Sequence, residues 1–338
     1  MRSSARAIVF LLIGLAGARA ADARRLGAVP LPLNGSVLIH GGGALTDDTL
    51  EAFVRGAGGA DARVVVIPTA AKEVDPRAVQ RRWLARGLRD VEVLHTRSRA
   101  EADAAQTVAV IDAADAVWIA GGLQSRLESS YSGTAVARAL KAVVERGGIV
   151  AGSSAGAAAL SQVMIRRGKP EPEIGTGLGV LPGVIVDQHF SERDRVERLW
   201  KALQANRRLV GYGVDENTAL LINRREMRVT GPGKAHILLS ASASGKRPAR
   251  HITLRRGMRG DHLAMQRAVL ARARDDYPPE RFPECRLASG TVVLVGGGAL
   301  PRRALEAFLR AAGGGDKRVV MINTALGNPP PRIAAELK

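Results

Sequence analysis

Cysteine and aromatic residues are scarce in this chain of 338 residues. Its one cysteine, Cys285, excludes an internal disulfide and a zinc site built from several cysteines. Aromatic residues make up 3% of the sequence, too few for the stacking platforms that bind single-stranded nucleic acid. Beyond the first twenty residues, no apolar run is long enough to span a membrane. What remains is an ordinary globular composition, 46% hydrophobic and 24% charged, with ample length for a core.

Negative charge is also in short supply, since 32 acidic residues face 50 lysines and arginines and leave a net charge of +18. Such an excess favours nucleic acids, membrane surfaces or acidic substrates as partners. The basic residues are mostly scattered arginines, and no helix-turn-helix, zinc-finger or RNA-binding signature is present. We therefore expect a solvated, arginine-rich surface and no nucleic-acid partner.

Residues 1–20 have the pattern of an export signal. Arg2 and Arg6 precede an apolar run, and Ala18-Arg19-Ala20 fits an A-x-A cleavage site. The sequence therefore predicts a bacterial protein that is exported to the periplasm or beyond, starts near Ala21 and has no membrane contact after cleavage. The alternative is an uncleaved N-terminal anchor. Residues 21–33 are then a lead-in.

Strand and helix patterns alternate through residues 34–260, which we predict to form the main domain. Such alternation is typical of a mostly parallel sheet with helices on both faces. The strands we expect to be buried are Ser36–His40, Arg63–Ile67, Val91–Leu94, Ala116–Ile119, Ile149–Ala151, Val184–Val186 and Leu209–Val214. Short runs between residues 220 and 239 suggest an antiparallel hairpin that completes the domain. Sites in such sheets form at the carboxyl ends of the strands, where Gly41–Gly43, Gly121–Gly122 and Ser154 all lie.

The stretch from Gly147 to Leu160 carries the strongest motif. An apolar strand ends at Gly152-Ser153-Ser154-Ala155-Gly156, which has the G-x-S-x-G spacing, and an alanine-rich helix follows. In that turn a serine Oγ is lifted out of the sheet and placed beside a helix N-terminus, which suits a nucleophile for acyl transfer. The simpler interpretation is a tight strand-to-helix turn made of small residues.

A serine nucleophile needs a base, and His189 is the best candidate among six histidines because it follows a strand end among polar neighbours. Glu216, with Asp215 beside it as the alternative, would orient the imidazole. The N–H groups of Ala155 and of Gly122 or Gly121 would form the oxyanion hole. An α/β-hydrolase would instead use Ser154, then Asp187 or Glu216, then His236, His251 or His262.

Four ordered runs make a family resemblance specific. GGLQ (121–124), GSSAGA (152–157), DQHFSERDRVERL (187–199) and GVDENTAL (213–220) resemble the cyanophycinase branch of the S51 serine peptidases. The resemblance covers roughly residues 34–260. It implies a flavodoxin-like three-layer α/β sandwich, and it assigns the nucleophile, base and acid to Ser154, His189 and Glu216.

The resemblance also implies a substrate pocket and a substrate. The pocket would be formed by Gln124, Asp187, Gln188, Arg193, Arg195 and Arg198. Enzymes of this branch release β-Asp-Arg units from cyanophycin, a polyaspartate with arginine side branches, and need no metal or cofactor; dimers are common among them. Arginines suit carboxylates in any case, because a guanidinium binds them in a fork, although these three could equally form a solvated helix face.

The sequence departs from the family at Leu123, where a polar or acidic residue is usual, and at Ser153, where threonine is usual. The first change leaves the choice between cyanophycin and other aspartyl or isoaspartyl peptides open. Two other functions also remain open: a catalytically silent module that binds acidic peptides, and an esterase of the α/β-hydrolase type.

Residues 291–325 repeat residues 36–70 without a gap, with identity at roughly 20 of about 35 positions. VLIHGGGAL matches VVLVGGGAL, and RVVVIPTA matches RVVMINTA. We therefore predict that residues 290–338 are a truncated second copy of the first βαβ unit, joined through a linker at residues 261–289. The copy has no second nucleophile turn.

Overall fold

The computed structural model describes residues 31–275 and 302–313. The chain divides into two compact units, residues 1–277 and 278–338. The predicted export signal and most of the lead-in lie outside the described residues. Within the described part, no helix has the length and apolar character needed to cross a bilayer.

The first unit is built on an eight-stranded sheet with the order β14-β11-β10-β1-β5-β4-β2-β3. Its parallel strands are β1 (Ser36–His40), β2 (Arg63–Ile67), β3 (Asp90–Val93), β4 (Ala116–Ile119) and β5 (Ile149–Ser153). Its antiparallel extension is β10 (Ala219–Asn223), β11 (Glu226–Thr230) and β14 (Arg259–Asp261). The sheet is thus mostly parallel, as the alternation of patterns predicts.

Helices connect and cover these strands. In chain order they are α1 (Asp47–Ala57), α2 (Pro76–Leu84), α3 (Arg99–Asp103), α4 (Ala105–Asp112), α5 (Gln124–Tyr131), α6 (Ala135–Glu145), α7 (Ala155–Ala159), α8 (Val196–Ala205) and α9 (His262–Arg274). Side-chain caps start several of them, since Asp75 accepts from the Ala78 N–H and Asp261 from the Ala264 N–H. Helix α5 was not predicted from the sequence.

The two faces of the parallel sheet carry separate apolar layers because successive strand residues alternate sides. On one face, α1 and α2 place Phe53 and Trp83 against Trp118 of β4, with ring centroids 5.2 and 5.0 Å from that of Trp118. On the other face, Leu140 and Val143 of α6 join a larger core. Burial on both faces explains why β1 and β2 are almost continuously apolar.

That larger core also receives a second sheet of four strands, in the order β13-β12-β9-β8. These strands are β8 (Val184–Gln188), β9 (Val210–Val214), β12 (Lys234–Leu239) and β13 (Arg250–Arg255). The predicted hairpin is therefore only partly right: β10 pairs with β11, but β12 pairs with β9 and β13. A third sheet, the hairpin of β6 (Val163–Arg167) and β7 (Glu173–Thr176), was not predicted.

The predicted start of the linker at residue 261 is wrong. Asp261 ends β14, and α9 follows it directly, with Leu263 and Val269 buried in the first unit. This helix belongs to the main domain because it packs against β9 and β12. In the second unit, α10 (Arg302–Ala312) covers the positions that the repeat aligns with α1; the rest of the predicted repeat lies outside the described residues.

Candidate active site

Ser154 occupies a strained turn between β5 and α7. Its backbone angles, φ 51° and ψ −114°, lie outside the regions that a non-glycine residue ordinarily adopts. Two glycines make the turn possible: a Cβ at Gly152 would lie 2.4 Å from the Gly156 carbonyl oxygen, and one at Gly156 would lie 2.1 Å from the Ile119 carbonyl oxygen. The Ser154 N–H donates to the His40 carbonyl at 3.0 Å, which ties the turn to β1.

Three side chains form one hydrogen-bonded chain at this turn. The Oγ of Ser154 lies 2.8 Å from Nε2 of His189, and Nδ1 of His189 lies 2.5 Å from Oε1 of Glu216. The carboxylate can only accept, so Nδ1 carries the proton and Nε2 is free to accept from the serine hydroxyl. The His189 side chain is 10% exposed and that of Glu216 is 32% exposed, so the chain reaches solvent at its acidic end.

The ends of the strands bring these residues together. His189 follows β8 and Glu216 follows β9, and these strands are parallel neighbours in the second sheet. The loop after β1 joins this sheet to the first, because the His189 N–H donates to the Gly41 carbonyl at 2.8 Å and the Asn217 N–H to the Gly42 carbonyl at 2.7 Å. Gly42 leaves room for the base: a Cβ there would lie 2.3 Å from the His189 ring. Gly42 thus lies against the imidazole, whereas Gly41 and Gly43 pack on the segment that carries Glu216.

Burial lowers the pKa of His189 below its ordinary 6.5, and the nearby charges of Arg193 and Arg195 act in the same direction. The hydrogen bond that His189 donates to Glu216 opposes this and raises the pKa. Because the net shift is downward, the imidazole is neutral at neutral pH. A neutral imidazole is the form that can accept a proton from Ser154.

The predicted oxyanion-hole residues also lie at the nucleophile. Ala155 is the first residue of α7, and Gly121 backs onto Ser154, with a Cβ there falling 3.1 Å from the serine Cβ. Gly122 has φ 144° and packs on the Ala70 carbonyl. Among the turn and loop hydrogen bonds within residues 31–275, none involves the N–H of Gly122 or Ala155.

The predicted substrate pocket separates into buried and exposed members. Asp187 and Arg198 are 0% and 4% exposed, and they form an ion pair in which Arg198 Nε donates to Asp187 Oδ2 at 2.9 Å. Arg195 is also buried, and its Nη1 donates to the side-chain oxygen of Gln188 at 2.8 Å. Each of these four side chains has partners beneath the surface, and their contact with the substrate stays a prediction. They brace the segment that follows His189.

Gln124 and Arg193 are the two predicted pocket residues that remain accessible. Gln124 is partly exposed and begins α5, directly after the exposed Leu123. Arg193 is exposed, and its charge acts on His189. Lys169 at the tip of the β6–β7 hairpin donates to the Arg193 carbonyl at 2.8 Å, so this hairpin forms a wall beside the segment.

The alternatives for the acid and the base lie elsewhere. Asp215 does not contact His189; its carboxylate faces His236 and the Ser191 N–H. His236 and His251 contact each other, and His262 is buried against the hydroxyl of Tyr212. None of these histidines is bonded to Ser154 in the described structure, so the α/β-hydrolase assignment is wrong.

Two residues that sequence reasoning missed support the triad. His40 at the end of β1 is bonded to the Ser153 hydroxyl at 2.9 Å, and burial lowers its pKa to about 4, so it is neutral. Glu192 accepts from the Glu216 N–H at 3.1 Å and thereby joins the two triad loops. The only sequence signal was the polar run around His189. In residues 31–275 and 302–313, no three metal-ligating side chains are grouped to hold a metal ion.

Several known proteins are similar to this chain. The model for peptidase family S51 matches residues 33–230. A cyanophycinase of Synechococcus elongatus is 35% identical over 200 residues, which are 56% of this chain and 62% of that protein. A cyanophycinase of Geminocystis herdmanii is 32% identical over 222 residues, which are 61% of this chain and 81% of that protein.

The fold is also found among solved structures. The crystal structure of a peptidase from an acI-B1 Actinobacterium matches with a TM-score of 0.53 at 23% identity, and it covers 68% of this chain and 97% of that one. This likeness bears on the fold, which is flavodoxin-like as predicted. Because the family model covers more than half of the chain, the chain belongs to peptidase family S51.

Proposed function

We propose that the protein is an exported serine peptidase that cleaves β-Asp-Arg or related aspartyl and isoaspartyl peptides through an acyl-enzyme on Ser154. The observation that carries the proposal is the continuous hydrogen-bonded chain from Ser154 through His189 to Glu216 on a strained turn. Strain of this kind persists where the surrounding structure enforces it, as happens at functional sites.

In the first half of the reaction, Ser154 Oγ attacks the substrate carbonyl carbon while its proton moves to Nε2 of His189. The resulting imidazolium is stabilised by Glu216, which keeps Nδ1–H pointed at its carboxylate. The negative oxygen of the tetrahedral intermediate is held by the N–H groups of Ala155 and Gly122. The intermediate collapses as the C–N bond breaks and His189 gives its proton to the leaving amine.

In the second half, water replaces the amine. His189 takes a proton from that water, the oxygen attacks the acyl carbon, and the proton then returns to Ser154 as the ester bond breaks. No group of the enzyme is consumed.

The substrate assignment rests on charge and on the family. Arg193 is the exposed cation beside the base, and it suits a substrate carboxylate. The relatives named cyanophycinase favour a β-aspartyl substrate. Leu123, next to Gly122, is exposed and apolar. It therefore offers no negative charge to the arginine side chain of a β-Asp-Arg substrate. For this reason we keep other isoaspartyl peptides in the substrate class.

Export rests on the sequence of residues 1–20. A chain that begins at Ala21 would retain every residue of the site. The intact mass of protein recovered from a producing bacterium tests this part, since an uncleaved Met1 would contradict it.

The experiment for the function is hydrolysis of cyanophycin, β-Asp-Arg peptides, other isoaspartyl peptides and matched α-Asp peptides by the chain from Ala21. Mass spectrometry identifies the bond that is cut. We expect cleavage of β-aspartyl substrates, and the α-Asp peptides decide whether aspartyl peptides belong to the substrate class as well. Binding of these peptides by calorimetry without hydrolysis of any would replace the peptidase with a silent binding module.

The pH dependence of Ser154 reactivity follows from His189. Since the neutral imidazole is the active base and its pKa is lowered, fluorophosphonate labelling should be lost only below pH 6.5. Glu216→Gln removes the carboxylate charge that helps to raise this pKa, so its labelling should be slower at all pH values and its acid limb should move further down. An acid limb above pH 6.5 in the wild type would point to a different base.

A further inference from the structure

The buried imidazole of His236 contacts the residue next to His189 and the residue next to Glu216. His236 of β12 is 7% exposed, and its ring lies 4.9 Å from that of Phe190, the residue after His189. Its Nε2 lies 3.3 Å from Oδ1 of Asp215, the residue before Glu216. The same side chain therefore holds the two loops whose relative position sets the His189–Glu216 hydrogen bond.

The carboxylate of Asp215 adds further hydrogen bonds between these loops. It is 5% exposed and accepts from the Ser191 N–H at 3.1 Å and from the Lys234 N–H at 3.0 Å. One buried carboxylate thus joins the His189 loop, its own loop and β12. A buried carboxylate with its hydrogen bonds satisfied fixes the backbone around it, because breaking any of these bonds leaves an unpaired charge.

Phe190 completes the contact on the other side. It is fully buried, and it lies over Gly213 of β9, where a Cβ would fall 2.5 Å from its ring. Its position is fixed between that strand and His236. The loop that carries His189 could move only if Phe190 left its position between Gly213 and His236. The imidazole of His236 therefore restricts the movement of this loop.

We propose that His236 is a positioning residue for the catalytic triad, which holds Asp215 and Phe190 so that Glu216 stays on Nδ1 of His189. The inference rests on the proposed function, since it concerns the same triad. No step of the reaction passes through His236.

The hydrogen bonds fix how His236 is protonated when neutral. Asp215 can only accept, so Nε2 of His236 carries the proton. Nδ1 then accepts from Nε2 of His251, which lies 2.9 Å away at the exposed end of the network. Burial and the neighbouring His236 both lower the pKa of His251, which favours the neutral ring of His251.

Ser191 does not form a second nucleophilic site with these residues. Its Oγ lies 3.3 Å from Nε2 of His236, the same nitrogen that faces Asp215. A triad needs the serine and the carboxylate on opposite ring nitrogens. The polar cluster therefore acts on the geometry of the first triad.

Two substitutions of His236 separate the contribution of its hydrogen bond to Asp215 from that of its ring contact with Phe190. His236→Phe keeps a ring against Phe190 but removes the donor to Asp215, whereas His236→Gln supplies a donor without the ring. We expect His236→Phe to lower kcat on the best isoaspartyl substrate by about 10- to 100-fold, because a displacement of about 1 Å can cost that much. KM should stay within about twofold, and His236→Gln should recover most of kcat. His251→Gln, at the exposed end, is the matched control and should leave kcat within about threefold of wild type.

A second measurement does not need activity. The Nδ1 proton of His189 in its bond to Glu216 should give a far-downfield proton NMR signal, identified by its loss in Glu216→Gln. That signal should be lost or shifted upfield in His236→Phe and kept in His236→Gln and His251→Gln. If wild type hydrolyses no peptide, the proposed function fails, while the NMR comparison still decides the role of His236. An unchanged signal in a folded His236→Phe would overturn the inference, as would wild-type kcat.

Discussion

Replacement of Ser154 by alanine is expected to lower kcat/KM on the best isoaspartyl substrate by about four to six orders of magnitude. Loss of the nucleophile of a triad costs this much because the remaining members cannot form the acyl-enzyme. The 2.8 Å bond to Nε2 of His189 disappears, but the backbone of the turn is held by the His40 carbonyl and by close packing of Gly152 and Gly156. The melting temperature should therefore change little. Initial rates over a range of substrate concentrations, beside thermal unfolding, test both statements.

Ser153→Ala is the matched control for that experiment. Ser153 is the adjacent serine, and its hydroxyl is bonded to His40 rather than to the base. We expect this variant to retain activity within about tenfold of wild type, since it removes a partly buried hydrogen bond worth about 1 kcal/mol and no reacting atom. If Ser154→Ala kept a tenth of the wild-type rate, another nucleophile would have to be sought and the proposed mechanism abandoned.

The triad could be located from the sequence because its members stand at strand ends, and strand ends are easy to read. Val184–Val186 and Leu209–Val214 are short apolar runs followed by polar residues. The choice between Asp215 and Glu216 could not be made in that way. Adjacent residues at a strand end point to opposite sides, and which side faces His189 depends on how β9 twists against β8.

The sheet to which these strands belong was not predictable either. Apolar runs and turns predict that Val184–Val186 is a strand, but any parallel neighbour would satisfy its pattern equally well. Pairing of β8 with β9, and of β9 with β12, depends on packing across the larger core. The sequence therefore predicts the strand ends at which Ser154, His189 and Glu216 lie, but it does not reveal the second sheet.

The burial of two arginines after His189 could have been predicted from their spacing. Arg195 and Arg198 share the spacing i, i+3, i+4, i+7 with the buried Leu199 and Ala202 of α8. That spacing puts them on the inner face of the helix, but a charged residue is seldom buried without a partner. Asp187, the partner, is far from obvious because it lies on another element. The sequence therefore suggested that all three arginines bind substrate carboxylates, whereas Arg195 and Arg198 form ion pairs with the buried carboxylate of Asp187.

Replacement of Arg198 by methionine should therefore act on stability. Removal of one member of a buried ion pair typically costs about 3–5 kcal/mol, because the other charge is left buried. Here Asp187 is fully buried and would keep only Arg195, at 3.2 Å, as a cationic partner. We expect urea unfolding to show a loss of about 3–5 kcal/mol for Arg198→Met. Activity measured under conditions where the variant is folded should show KM close to that of wild type.

Arg193→Met gives the opposite result if Arg193 meets the substrate. Its side chain is exposed, so its removal should change the unfolding free energy by less than about 0.5 kcal/mol and should raise KM for acidic substrates.

The double variant Asp187→Leu with Arg198→Met removes both charges and should regain much of the stability that Arg198→Met alone loses, since apolar pairs often replace buried ion pairs without loss. A raised KM with wild-type stability in Arg198→Met would mean that this side chain leaves Asp187 to bind substrate. The segment after His189 would then move during the reaction, and the buried pair would describe only its resting position.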